Sequence, residues 1–153
     1  MSPASRLAGF YFAYFCYLGT FVAYFSLWLA GRGYAPAEIA AVLAVPQLVR
    51  IVAPALWGWL ADVWGGRLPG GRRGIVVVSS VLAAASFGAL GFADGLAAVF
   101  ACVALMALFS AGVLPLVEAT TLAALGGRAE RYGPVRLWGS LAGFLLTGLL
   151  PVV

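Results

Sequence analysis

The sequence predicts an all-α integral membrane protein with five transmembrane helices. Three observations carry this expectation. Of 153 residues, 64% are hydrophobic and 9% charged, against about 45–50% and about 25% in soluble domains. The mean hydropathy is +1.05. The apolar residues also gather into five runs, each near the ~20 residues that a helix rising ~1.5 Å per residue needs to cross a bilayer. A soluble domain is excluded because the chain lacks polar surface to face water. Disorder is excluded because it requires low hydrophobicity and high charge.

The runs cover roughly 8–30, 38–61, 74–93, 96–125 and 133–153. The first is too long for the apolar core of a signal peptide, and no small-residue cleavage pattern follows it. Tyr14, Tyr17, Phe21, Tyr24 and Trp28 recur at steps of three and four along it, which puts them in one helical stripe. Such a stripe serves lipid contact and helix packing, or lines a cavity. Tyr14, near the middle, is the candidate cavity residue, because a phenol in lipid needs a partner. The second run carries Arg50 between Pro46 and Pro54, with Gln47 three residues before it. The third is uncharged beyond its leading arginines. The fourth is longer than a bilayer needs and contains Gly112 and Pro115, which predicts a kink. In the fifth, Gly139 and Gly143 form a G-x-x-x-G beside Ser140, which permits close helix approach.

Charge sets the expected orientation. The chain has no lysine, and its net charge of +4 is the excess of nine arginines over five acidic residues. Arg6, Arg67, Arg72, Arg73, Arg128, Arg131 and Arg136 fall on one side of the alternating runs, and only Arg32 on the other. The positive-inside rule therefore predicts a cytoplasmic N-terminus and two cytoplasmic arginine-rich loops. This also explains the basic balance without nucleic acid. Short loops predict antiparallel neighbouring helices and no water-soluble domain. An odd number of runs, ending abruptly at Pro151-Val152-Val153, predicts a piece of a longer protein.

Arg50, Glu118 and Arg136 are ionisable residues inside runs. A charge at the bilayer centre costs about 2.5–3.5 kcal/mol on insertion scales, so such groups face a cavity or a partner. Glu118 and Arg136 lie at depths differing by about 6 Å at ~1.5 Å per residue, so a pair between them is sterically plausible. They could form a polar substrate site with proton coupling through Glu118. Arg136 could equally be an interfacial residue snorkelling to the headgroups. Arg50 shares a face with Pro46 and Pro54, and its guanidinium wants an anion, either Glu118 or a substrate carboxylate. A purely structural ion pair is the alternative.

Enzyme chemistry lacks material here. There is no histidine, no cysteine pair, no carboxylate cluster and no G-x-S-x-G. Cys16 and Cys102 lie inside apolar runs and read as inert packing thiols. No disulfide, metal or cofactor is expected.

The segment Gly58-Trp59-Leu60-Ala61-Asp62-Val63-Trp64-Gly65-Gly66-Arg67 resembles the G-x-L-A-D-x-x-G-R-[RK] signature of the major facilitator superfamily, which occupies the loop after the second helix. Gly66 stands where the family prefers a basic residue, and Arg72-Arg73 follow after extra residues. The resemblance implies that Gly58, Asp62, Gly65, Arg67, Arg72 and Arg73 form a gating cluster that latches helices in one of two alternating states. Pro115-Leu116-Val117-Glu118-Ala119 and Tyr132-Gly133-Pro134-Val135-Arg136-Leu137-Trp138-Gly139-Ser140 resemble segments of the lactose permease group, in which the acid–arginine pair binds sugar. Gly143 replaces a tryptophan that stacks on the sugar there. The 3-phenylpropionate permease group is similar over Tyr132 to Ser140 and is expected to place an arginine at Arg50 and an acid at Glu118.

The resemblance implies a twelve-helix, two-half proton symporter of the inner membrane. The present chain would supply most of the N-terminal six-helix bundle, its C-terminal half being absent. The implied partners are a small-molecule substrate, protons, the lipid bilayer and that missing half. The substrate expected is a small organic anion such as an aromatic acid, bound by Arg50, Glu118, Arg136, Gln47 and Tyr14. The alternatives are a sugar or nucleoside symporter and a non-functional truncated fragment.

Overall fold

The computed structural model describes residues 3–67, 71–124 and Leu137. The described residues form helices α1 (Pro3–Gly31), α2 (Pro36–Trp64), α3 (Gly71–Ala89), α4 (Leu96–Ala111) and α5 (Val113–Ala124), with a 3₁₀ turn at Leu90–Phe92. Among the described residues, four stretches are long and apolar enough to cross a membrane: Gly9–Gly31, Pro36–Trp64, Gly71–Phe92 and Leu96–Ala119. The expected fifth span, with Gly139, Ser140 and Gly143, lies outside the described residues apart from Leu137. The chain divides into two compact units, Met1–Tyr34 with Thr121–Val153, and Ala35–Thr120.

In the first unit, α1 carries a continuous aromatic stripe. Phe10 stacks on Tyr14 at 6.0 Å, Tyr14 meets Tyr17 and Tyr17 meets Phe21, each at 6.4 Å. Phe21 then stacks on Phe25 at 4.5 Å, and Phe25 on Trp28 at 5.6 Å. Phe25, rather than Tyr24, carries the stripe from Phe21 to Trp28. Arg32 closes it, its guanidinium 4.4 Å over the Trp28 ring. The helix ends in a Schellman motif. The Tyr34 N–H donates to the Leu29 carbonyl at 3.3 Å and the Gly33 N–H to Ala30 at 2.9 Å. This requires the left-handed conformation that Gly33 adopts, with φ of +83°.

In the second unit, α2 starts at Pro36, whose fixed φ suits a first helical position and whose missing N–H is no loss there. Glu38 accepts the Ala35 N–H at 2.8 Å, half of a capping box, and places its charge at the positive end of the helix. The helix then runs 29 residues through Pro46 and Pro54. Neither proline can donate, so the carbonyls of Val42 and Arg50 lose their usual partners.

Packing in this unit is centred on α4, which lies against both α2 and α3, whereas α2 and α3 hardly touch. Adjacency in sequence therefore does not decide packing: α4 packs on its neighbour α3 and equally on the more distant α2, whereas the adjacent α2 and α3 hardly do. The buried positions of α3 and α4 include Ser79, Ala83, Val99, Val103, Met106 and Ala107. Small side chains among them let the helices approach closely. The serines of α3 meet their needs within the helix: Ser79, Ser80 and Ser86 donate to the carbonyls of Ile75, Val76 and Leu82 at 2.7–2.8 Å. A hydroxyl bonded back to its own helix can sit in an apolar layer without an unmet donor.

Gly33→Ala forces a side chain into the left-handed region and should lower stability by about 1–2 kcal/mol. Thermal unfolding of the detergent-solubilised protein checks this; an unchanged midpoint would show that the helix-ending motif contributes nothing.

Candidate functional site

The long fourth run is built as two helices, with the break at Gly112. Pro115 explains why. Inside one continuous helix it would lack the N–H owed to the Ala111 carbonyl. With a fresh start at Val113, Pro115 falls in the first turn of α5, where N–H groups have no intrahelical partner to lose. The break frees the Leu108 carbonyl, because the Gly112 N–H turns to Ser110 instead. The indole Nε1–H of Trp57 on α2 donates to that carbonyl at 2.7 Å. Gly112 permits the approach: a Cβ there would overlap the Trp57 side chain, lying 2.6 Å from its Cβ and Cδ1. Phe109 flanks the indole at 6.3 Å.

Below this joint a cleft of about 210 Å³ runs between α2, α3 and α5. Trp57, Gly112 and Pro115 line one part of it, and Gly58, Asp62 and Arg72 another. Ala61 and Leu116 also line it, and both pack with Ile75 in a small buried apolar cluster. At the loop end, Arg72 Nη2 donates to Asp62 Oδ1 at 2.7 Å. Both side chains are more than half exposed, at 51% and 70%. Exposed pairs contribute about 0.2–1 kcal/mol, so this one cannot be what holds α2 to α3. Gly65 closes the turn beneath it. A Cβ there would collide with the Ala61 carbonyl oxygen and come within 3.1 Å of Arg72 Cγ.

The structure thus brings Gly58, Asp62, Gly65 and Arg72 together. Arg67 and Arg73 are exposed beside the pair, and the Asp62 carboxylate goes to Arg72. On α2, Gln47 and Arg50 are exposed one turn apart, near Leu48 and Ile51, which are 64% and 76% exposed. Among the described residues Arg50 has no hydrogen-bond or ion-pair partner. Glu118 is half-buried on α5, six residues beyond Gly112. Tyr14 is half-buried in the α1 stripe. Arg136 lies outside the described residues, so its expected pairing with Glu118 is not visible. Among the described residues, no group of three or more His, Cys, Asp or Glu is placed to hold a metal.

Sequence reasoning missed Trp57. The available signal was a break-prone Gly112-x-x-Pro115 in one helix and, in another, an indole whose N–H needs a partner when buried. Pairing the two needed the fold.

Asp62→Asn should change unfolding free energy by less than about 1 kcal/mol, as befits an exposed pair. Denaturant or thermal unfolding tests this. A larger loss would mean the pair is structural.

Comparisons with known proteins agree with this architecture. The chain is 29% identical over 142 residues to the maltose permease of Geobacillus stearothermophilus, covering 92% of this chain and 34% of that protein. The crystal structure of the nucleoside transporter NupG superposes with a TM-score of 0.83 at 19% identity, covering 95% of this chain and 36% of the other. The chain therefore spans about a third of the length of these relatives. The profile of the MFS_1 like family matches residues 4–150. With its apolar helices, its break at Gly112 and its loop ion pair, this multi-pass membrane chain belongs to the MFS_1 like family of the major facilitator superfamily.

Proposed function

We propose that this chain is the N-terminal portion of a proton-coupled secondary transporter of a small organic anion, such as an aromatic acid of the 3-phenylpropionate type. The observation that carries the anion is Arg50. It is a guanidinium in the middle of a 29-residue apolar helix, exposed, and without a partner among the described residues. Leaving it against lipid costs at least about 2.5–3.5 kcal/mol, so it faces an aqueous path or a ligand. A planar guanidinium binds a carboxylate through two parallel hydrogen bonds.

In this reading Gln47 adds a neutral donor one turn away, and the Tyr14 phenol is a further substrate-binding group. Glu118 exchanges between a proton and Arg136 as substrate binds. The Asp62–Arg72 pair, with Gly58, Gly65, Arg67 and Arg73, latches the α2–α3 loop end in one alternating state. A weak exposed pair suits a latch, because it must break in every cycle. Substrate would sit near the midplane between this portion and a second half. The N-terminus would lie in the cytoplasm, as the arginine bias supports, and the protein in the inner membrane, as the family resemblance implies.

A second reading, proton-coupled transport of a sugar, is favoured by one observation, the 29% identity to a maltose permease. Uptake by the full-length protein in proteoliposomes separates the two. Labelled 3-phenylpropionate should accumulate under an inward proton gradient. Arg50→Gln should abolish that uptake with membrane insertion unchanged, and Asp62→Asn should reduce it far more than it reduces stability. Accumulation of maltose or a nucleoside in place of the acid would replace the anion reading, and wild-type uptake by Arg50→Gln would remove Arg50 from the site.

A further inference from the structure

The direction of α5, and hence the presentation of Glu118, is fixed at a joint held from another helix. Three observations meet there. The α4–α5 break leaves the Leu108 carbonyl without its helical donor. The Trp57 indole supplies one at 2.7 Å, and it reaches across from α2. The indole lies so close that residue 112 can carry no side chain.

A polar group left bare inside a membrane protein must find another partner, so losing this bond would press the break to rearrange. Gly112 is where the rearrangement can occur, since no side chain restricts its backbone. The same cleft that Trp57 and Gly112 line also holds Asp62 and Arg72. A swing of α5 about Gly112 would therefore change the cleft wall opposite the loop ion pair and turn Glu118 at the same time.

We propose that Trp57 is a positioning residue: its N–H to the Leu108 carbonyl pins the Gly112 joint, sets the direction of α5, and so links the Asp62–Arg72 latch to Glu118. The link to transport rests on the role proposed above for Glu118; the pinning of the joint does not.

The test uses spin labels at Ala97→Cys on α4 and Ala119→Cys on α5, both exposed positions, with Cys16→Ser and Cys102→Ser removing the native thiols. The labels lie roughly 33 Å apart along the helices, at ~1.5 Å per residue, within range of double electron–electron resonance. Trp57→Phe keeps a ring and removes the donor. It should broaden or shift the distance distribution, and uptake by the full-length transporter should fall on the order of tenfold. Trp59→Phe, at a residue 59% exposed, should change neither. Should Trp57→Phe fail to insert, Gly112→Ala displaces the indole from the other side of the joint and should shift the same distance.

A distribution in Trp57→Phe identical to wild type would overturn the pin. A broadened distribution with wild-type uptake would overturn the link to transport. Wild-type uptake by Glu118→Gln would sink the role of Glu118 while leaving the distance result untouched, so the two failures can be told apart.

Discussion

The hydrogen bond from the Trp57 indole to the Leu108 carbonyl is the interaction on which the second unit depends. In a membrane interior a backbone carbonyl has no water to turn to, so irregular backbone survives only where protein supplies the partner. Gly112 and Pro115 make the backbone irregular; Trp57 supplies the partner. The contact also ties α2 to α4 at the level where α5 begins. One side chain thereby satisfies a polar group, fixes a helix pair and sets the start of the segment bearing Glu118.

Magnitudes separate this joint from the loop ion pair. Hydrogen bonds between membrane helices contribute about 0.6–2 kcal/mol, and the alternative to making them is a bare carbonyl. The Asp62–Arg72 pair is shared with water and screened by salt, so it adds about 0.2–1 kcal/mol. The first holds architecture; the second can open and close without threatening it. The close approach at Gly65 keeps the loop compact whether or not the pair is formed. The buried cluster of Ala61, Ile75 and Leu116 does the same for the helix ends, because apolar packing has no charge to screen.

The polar residues within the helices follow two different rules. Ser79, Ser80 and Ser86 are neutral and bond back to their own helix, so they require nothing from outside. Arg50 cannot do this: a guanidinium has five donors and no acceptor, and its own helix cannot absorb the charge. Its exposure among apolar neighbours is therefore of a different kind from that of Leu48 or Ile51, which lipid can cover. This contrast is the physical basis for the ligand proposed at Arg50.

The amino-acid sequence alone was enough for the helical membrane class, because apolar length and composition are properties of the chain and need no partner. Several local features were equally open to reading: the aromatic stripe of α1, a kink around Gly112 and Pro115, and the motif residues Asp62 and Gly65. Each depends on residues within one helix or one loop. Tertiary structure decided the rest. It made α4 the common neighbour of α2 and α3, routed the stripe through Phe25, and chose Arg72 as the partner of Asp62 over Arg67 and Arg73. It also brought Trp57 to Leu108, 51 positions away. Periodicity shows which residues share a face of one helix but not which face of another helix meets it. That is settled by how small side chains, a missing Cβ at Gly112 and a freed carbonyl fit together in space.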